Sequence, residues 1–283
     1  MDIPSEELII YQGKRGKEFT DFIRKLLIKG RLKDKYINLL MSKDSMDVYN
    51  HAFTSDTADP INNYQLYEQL GDLSANKFIV SYSYNRFPQL RCSKAVKIVA
   101  RLRINYGSKQ TFSKIADELG FWDFITASED QRSNKKKPLL EDTLEAFIGA
   151  TEYLIDTKVM NCVGYAIVYD ILANIFDDID ISLKYRDLYD AKTRLKELFD
   201  LFGKETLGTL EYDINKDPET KINTAIVYQK IGGRFSKELG RGSAALKGNA
   251  EQASALMAIE TMRRMGYVKK TPSIYIELCG DIE

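Results

Sequence analysis

Two stretches of the chain, EQLGD at 68–72 and EDTLEAFIGA at 141–150, set acidic residues inside apolar, helix-favouring sequence. Glu68 and Asp72 are four residues apart, and Asp142 and Glu145 three apart, so each pair shares one helix face. Taken singly, either pair fits a solvated stripe, because charges are mostly exposed. Glu197 and Asp200 repeat the spacing and read as such a pair. Two glycines set the first two pairs apart. Gly71 and Gly149 sit inside the same helical runs, where glycine costs about 1 kcal/mol relative to alanine. Glycine so close to the acids implies close helix approach, or a backbone that must not block a site. Four carboxylates brought together repel one another unless cations neutralise them. Oxygen-only ligands suit Mg²⁺ or Mn²⁺, and two such ions a few ångström apart suit hydrolysis of a phosphodiester.

The rest of the composition removes other chemistries. His51 is the only histidine in 283 residues. A histidine-rich zinc cluster is excluded, and a Ser-His-Asp triad would depend on a residue whose flanks, YNHAF, offer no partner. His51 reads as structural or exposed. Cys92, Cys162 and Cys279 are widely spaced and form neither a disulfide framework nor a CxxC knuckle. The expected setting is a reducing intracellular compartment, the cytoplasm. No apolar run approaches the roughly 20 residues of a membrane helix. MDIPSEELII shows no signal-peptide pattern. GRGSAALKG lacks the phosphate-loop spacing, so no nucleotide cofactor is expected.

The elements that must carry the acids follow from periodicity. Helices are predicted at 17–30, with Gly30 as C-cap, and at 32–42, 64–86, 93–104, 110–119, 138–155 and 163–176. After a connector at 181–188 the pattern becomes helix 190–203, strands 207–215, 221–233 and 234–242, and helix 249–266. The expected architecture is an all-α domain over 1–182, a small α-β-β-β-α domain over 188–270, and an acidic C-terminal tail over 271–283. Charge is uneven along this plan. Residues 1–186 hold 26 basic and 26 acidic side chains, residues 187–270 hold 15 and 12, and the tail holds three acids and no base. The modest basic bias of the second domain is compatible with a nucleic-acid partner.

The residues quoted resemble those of ribonuclease III. That family carries a signature close to N-x-E-x-L-E-F-L-G-D and, later, D-x-x-E-A-x-I-G-A; here they read NYQLYEQLGD (63–72) and DTLEAFIGA (142–150). AFTSDT (52–57) resembles the family's upstream A-F-T-H-x-S. The segment 100–121 resembles the stretch between the signatures, and the α-β-β-β-α tail resembles a double-stranded RNA-binding domain. The resemblance covers roughly 15–268, and the wording is most like the ribonuclease III proteins of large DNA viruses. It implies that Glu68, Asp72, Asp142 and Glu145 are catalytic and hold two Mg²⁺ ions per site, with Mn²⁺ able to substitute. The implied activity is endonucleolytic cleavage of double-stranded RNA to 5′-phosphate products with short 3′ overhangs, by a homodimer without a membrane partner. Two other readings stand beside it: sequestration of duplex RNA to suppress silencing, and a structural subunit of a ribonucleoprotein. The retained acids favour the enzyme.

Departures from the family pattern are Gln65 for its glutamate, Gln69 for its phenylalanine and Ser55 for its histidine. In the tail, Thr220 replaces a histidine, and only Lys247 remains of a Ser-Lys-Lys run. RNA contacts are expected from Lys192, Arg194 and Lys247. Lys135, Lys136 and Lys137 are either phosphate contacts or a solvated loop. Arg101 and Arg103 either reach the RNA backbone or pair with acids. Tyr64, Tyr67, Tyr82, Tyr84 and Phe87 read as core or dimer interface. With no net charge over residues 1–186, the second domain is expected to supply most metal-independent RNA affinity.

Overall fold

The computed structural model describes residues 8–232 and 234–281. Met1–Glu7, Gly233, and Ile282 and Glu283 of the acidic tail lie outside the described residues. The chain divides into two compact units, Met1–Ile181 and Ser182–Glu283.

The first unit is helical. A two-residue strand, β1 (Ile10–Tyr11), leads into α1 (Lys17–Ile28), α2 (Asp34–Leu40), α3 (Lys43–Ala52) and the long α4 (Gln65–Arg86). Then come α5 (Val96–Tyr106), α6 (Lys109–Leu119), strand β2 (Ala127–Ser128), α7 (Glu129–Asn134), α8 (Lys136–Lys158) and α9 (Gly164–Phe176). β1 and β2 pair antiparallel and tie the start of the unit to its middle. The organising element is α8. From Leu139 to Ile155 it is apolar almost all round, and thirteen of its residues are buried. Such a helix belongs inside rather than on a surface. α3, α4, α6 and α9 pack around it. Pro138 falls in its first turn, where the missing N–H has no helical partner to lose. Caps mark the boundaries well: Ser108 accepts from Thr111 N at 3.3 Å and Ser128 from Gln131 N at 3.2 Å. α1 departs from expectation at its end, where the left-handed residue is Arg31 (φ 54°) rather than Gly30. The short α3 and α7 and the strand pair were not legible in the periodicity, since each is too brief to repeat a pattern.

The second unit opens with α10 (Tyr185–Leu188), α11 (Ala191–Phe202) and α12 (Lys204–Leu207). Strands β3 (Thr209–Lys216), β4 (Asn223–Ile231) and β5 (Arg234–Ala244) form an antiparallel sheet in sequence order. α13 (Lys247–Arg264) and α14 (Ser273–Cys279) complete it. Alternate residues of β4, Asn223, Ala225, Val227 and Gln229, are buried. With Leu195, Leu198 and Phe199 of α11 and Ala255, Ala258 and Met262 of α13, Val227 builds a second core. Asp190 caps α11, accepting from Thr193 N at 3.0 Å. The acidic tail is folded as far as Asp281. Tyr275 of α14 is 2% exposed, edge-on to Tyr185 of α10, and Asp281 accepts a hydrogen bond from Tyr185 N at 2.8 Å.

Candidate active site

α4 and α8 touch through their backbones. A Cβ added at Gly71 would overlap the Glu145 carbonyl oxygen, and one added at Gly149 would overlap the carbonyl oxygen of Tyr67. Close approach is therefore the reason for both glycines. The contact falls beside the acids: Asp72 follows Gly71, Glu68 lies one turn earlier, and Glu145 precedes Gly149 by a turn. Backbone contact, rather than long flexible side chains, thus fixes where the carboxylates start.

All four acids line one open cavity of about 310 Å³, together with Glu141 and Lys109. The cavity is electrostatically costly when the acids are ionised. Burial, and then Glu141, Asp72, Glu68 and Asp142, push the Glu145 carboxyl up to about 8. Burial and then Asp142 and Glu141 push Glu68 up to about 7. Asp142 is raised by burial, against the hydrogen bond that Tyr64 Oη donates to its Oδ2 at 3.0 Å. Glu141 is raised by burial too, and its ion pair with Lys109 pulls the other way. Asn76 Nδ2 donates to Asp72 Oδ1 at 2.8 Å, and Arg103 Nη1 donates to Asn76 Oδ1 at 3.3 Å.

The donor set is all oxygen, which fits a hard divalent cation. Among the described residues, no group of three or more His, Cys, Asp or Glu side chains is close enough to hold a metal ion as it stands. Carboxylates that repel one another keep apart, and a dication is the counter-charge that would let them close.

Four contributors escaped the sequence reading. Glu141 stands directly before Asp142 and four residues before Glu145, so its spacing was as good a signal as that of the chosen acids. Tyr64 had been read as core or interface; it is 5% exposed, yet its hydroxyl reaches Asp142. Lys109 is brought in only by the packing of its helix against α8, whereas Asn76 stands one turn after Asp72 on the same face of α4 and had a local signal that was not used. Ser55, where the family pattern has histidine, is fully buried and bonded to Thr57 Oγ1 at 2.8 Å, away from the cavity lining.

The expected RNA contacts do not gather at this cavity. Lys136 pairs with Asp117 at 2.9 Å, while Lys135 and Lys137 are exposed beside it. In the second unit, Lys192 pairs with Glu251 at 2.8 Å, and Lys247 is exposed at the first residue of α13. Arg194 is half-buried against Leu198, Ile259 and Arg263. Glu197, read as a solvated acid, is half-buried and accepts from Lys269 Nζ at 2.5 Å and from Tyr185 Oη. Asp200 is exposed as expected.

A family model described as the ribonuclease III domain matches residues 65–153, a span that contains all four acids. A protein of Invertebrate iridescent virus 6 carrying a ribonuclease 3 designation is 43% identical over 278 residues, 93% of this chain and 94% of that one. One from Frog virus 3 is 39% identical over 246 residues, 86% of this chain and 63% of that one. The ribonuclease 3 of Lactobacillus johnsonii is 27% identical over 230 residues, 80% of this chain and 95% of that one. Among solved structures, the nuclease domain of ribonuclease III from Campylobacter jejuni matches with 25% identity and a TM-score of 0.40, over 51% of this chain and 95% of that one. A relative matched from end to end, and a family domain that spans both acidic helices, show that this chain belongs to the ribonuclease III family of endoribonucleases.

Proposed function

We infer that the protein cleaves double-stranded RNA by metal-dependent phosphodiester hydrolysis at the α4–α8 cavity. One observation carries the reading: four acids on two glycine-touching helices converge on a single cavity, where burial and mutual repulsion raise Glu68 and Glu145 well above ordinary carboxyl values. Structural carboxylates are seldom gathered at such cost. Glu68, Asp72, Asp142 and Glu145 would hold the cations, Mg²⁺ or Mn²⁺, two per site. When bound, they supply charge neutralisation of the phosphate and an activated water. The chain's own residues do the positioning. Tyr64 orients the Asp142 carboxylate, Asn76 orients that of Asp72, and Lys109 compensates Glu141.

Cutting both strands needs two sites, which a two-fold dimer provides. α4 carries an exposed apolar row, Leu66, Leu70, Leu73, Val80 and Tyr84, with Leu66 and Leu73 each 70% exposed. Burial of that row against a second copy accounts for it. The second unit has the element order of a double-stranded RNA-binding domain and would hold the duplex. Products would carry 5′-phosphates and short 3′ overhangs. Among the described residues no helix is long and apolar enough to cross a membrane, and a site of action inside the host cell fits the viral relatives.

The test is cleavage of a long RNA duplex with and without Mg²⁺. Shortening to discrete products with 5′-phosphates is expected. An intact duplex over a range of Mg²⁺, Mn²⁺ and salt, with folded protein confirmed, would overturn the reading. Glu145→Gln then separates turnover from binding: retained duplex affinity without products is the expected result.

A further inference from the structure

The cavity holds one acid more than the proposed ligand set. Glu141 lines it beside Glu68, Asp72, Asp142 and Glu145, and Lys109 is the one cation among the described residues that do so. Glu141 and Glu145 are four residues apart on α8 and share a face, so spacing alone offers Glu141 to a metal as readily as its neighbours. Its partner sets it apart. The Lys109 ammonium pairs with Glu141 Oε2, and the Glu141 side chain is 12% exposed where that of Lys109 is 53% exposed. A half-exposed cation thus covers a nearly buried carboxylate. The cation also starts from a fixed point. Lys109 is the first residue of α6, and Ser108 caps that helix, accepting from Thr111 N and donating to Asn105 O at 2.7 Å. Its charge is felt on both acidic helices. Burial raises Glu68 on α4 and Glu141 and Asp142 on α8, and Lys109 opposes the rise at each. Fully ionised, five carboxylates against one ammonium leave four negative charges, the number that two divalent ions cancel.

We propose that Lys109 and Glu141 form a built-in counter-ion pair that withholds Glu141 from the metal and sets how tightly the cavity takes up divalent cations. The proposal rests on the metal-dependent reading above. An ammonium is a compact point charge, which neutralises a carboxylate without imposing a coordination geometry. It repels an arriving dication and attracts the acids around it, so it weakens the field that a metal meets. With no metal bound, the same attraction offsets part of the repulsion among the acids and spares the fold that cost. Lys109 and Glu141 are therefore positioning residues: they act on the metal through the charge of the cavity and not as ligands.

The experiment uses the full chain without RNA. Mn²⁺ is titrated in at fixed ionic strength, and the free ion is counted by its paramagnetic resonance signal. Wild type is compared with Lys109→Gln, Glu141→Gln, the double variant and Lys109→Arg. Lys109→Gln leaves one more negative charge in the cavity and should bind Mn²⁺ about tenfold more tightly. Glu141→Gln leaves one fewer and should bind about tenfold more weakly. The double variant restores the charge sum and should return to wild type, as should Lys109→Arg, which keeps the cation. A pair that only braces α6 against α8 gives a different pattern: each single variant binds more weakly, and the double variant no better. That pattern, or affinities that do not move, would overturn this proposal, and a wild type that still binds Mn²⁺ and cleaves duplex RNA would leave the enzymatic reading standing. A wild type that takes up no Mn²⁺ and cleaves no RNA would overturn both. Thermal melting without metal confirms that each variant is folded. Should Lys109→Gln not fold, the weakening in Glu141→Gln and its reversal in the double variant decide the question.

Discussion

Glu145 shows what a single residue contributes here. It is 6% exposed, surrounded by four other carboxylates, and held protonated to about pH 8 by burial and their repulsion. Glu145→Gln removes a proposed metal ligand and a carboxyl that can ionise there only at a cost. Cleavage with Mg²⁺ should fall about a thousand-fold, the factor that ~4 kcal/mol of lost charge stabilisation gives. Thermal stability without metal should not fall, and a rise is the natural result. Mg²⁺ should raise the melting temperature of the wild type, because a ligand bound only by the folded state stabilises it. It should raise that of the variant much less. Differential scanning calorimetry with and without Mg²⁺ checks both statements. At this scale the sequence was legible where residue type and spacing sufficed. That Glu68 and Asp72 share one helix face, and Asp142 and Glu145 another, could be read because helical spacing pairs them locally. Lys109 could not be placed, since no local pattern tells that α6 will face the acids, while Asn76, one turn after Asp72, was within reach of the same spacing argument. Tyr64 is in the core, one of the two places expected for it, but its hydroxyl bond to Asp142 gave no signal in sequence.

For the elements, the decisive contact is the crossing of α4 and α8. Gly149→Ala must push the helices apart by the room a methyl group needs, against the Tyr67 carbonyl, and Gly71→Ala meets the Glu145 carbonyl. Overpacking of this kind costs roughly 1–3 kcal/mol or more, and displaced helices also misplace the acids. Urea denaturation should show that loss, together with reduced cleavage by whatever protein remains folded. A second element-scale prediction concerns α14. Tyr275→Ala empties a site that is 2% exposed between Tyr185 and Tyr189. The expected loss is about 3–5 kcal/mol, typical of a buried aromatic cut to alanine, measured on the unfolding of the second unit. The long elements were readable: α4, α8, α9, α11 and α13 lie within a few residues of their expected spans, since each repeats an apolar period for several turns. α14 escaped because seven residues, Ser273–Cys279, give barely two turns, and the three acids of residues 271–283 suggested only a charged end.

At the scale of the whole molecule, the two units divide after Ile181. A chain ending there should remain folded, since its core is made entirely of residues before that point. Its Mg²⁺-dependent cleavage should persist at low salt and fall off faster than that of the full chain as salt rises. Contacts through the second unit are gone, while those of the first remain, and parallel salt titrations of the two chains test this. The division itself was legible from the change of period near 181–188, whereas the folding of the tail onto its own unit was not. That folding has a mechanical consequence. Tyr185 is the fourth residue of the second unit and Asp281 is near its end, joined N–H to carboxylate at 2.8 Å. Entry and exit of the chain are thus side by side. A force that pulls them apart, as an unfolding motor would, loads this small clasp first and peels it contact by contact. The β3–β4–β5 ladder lies inside the loop so closed and carries no load until the clasp has opened.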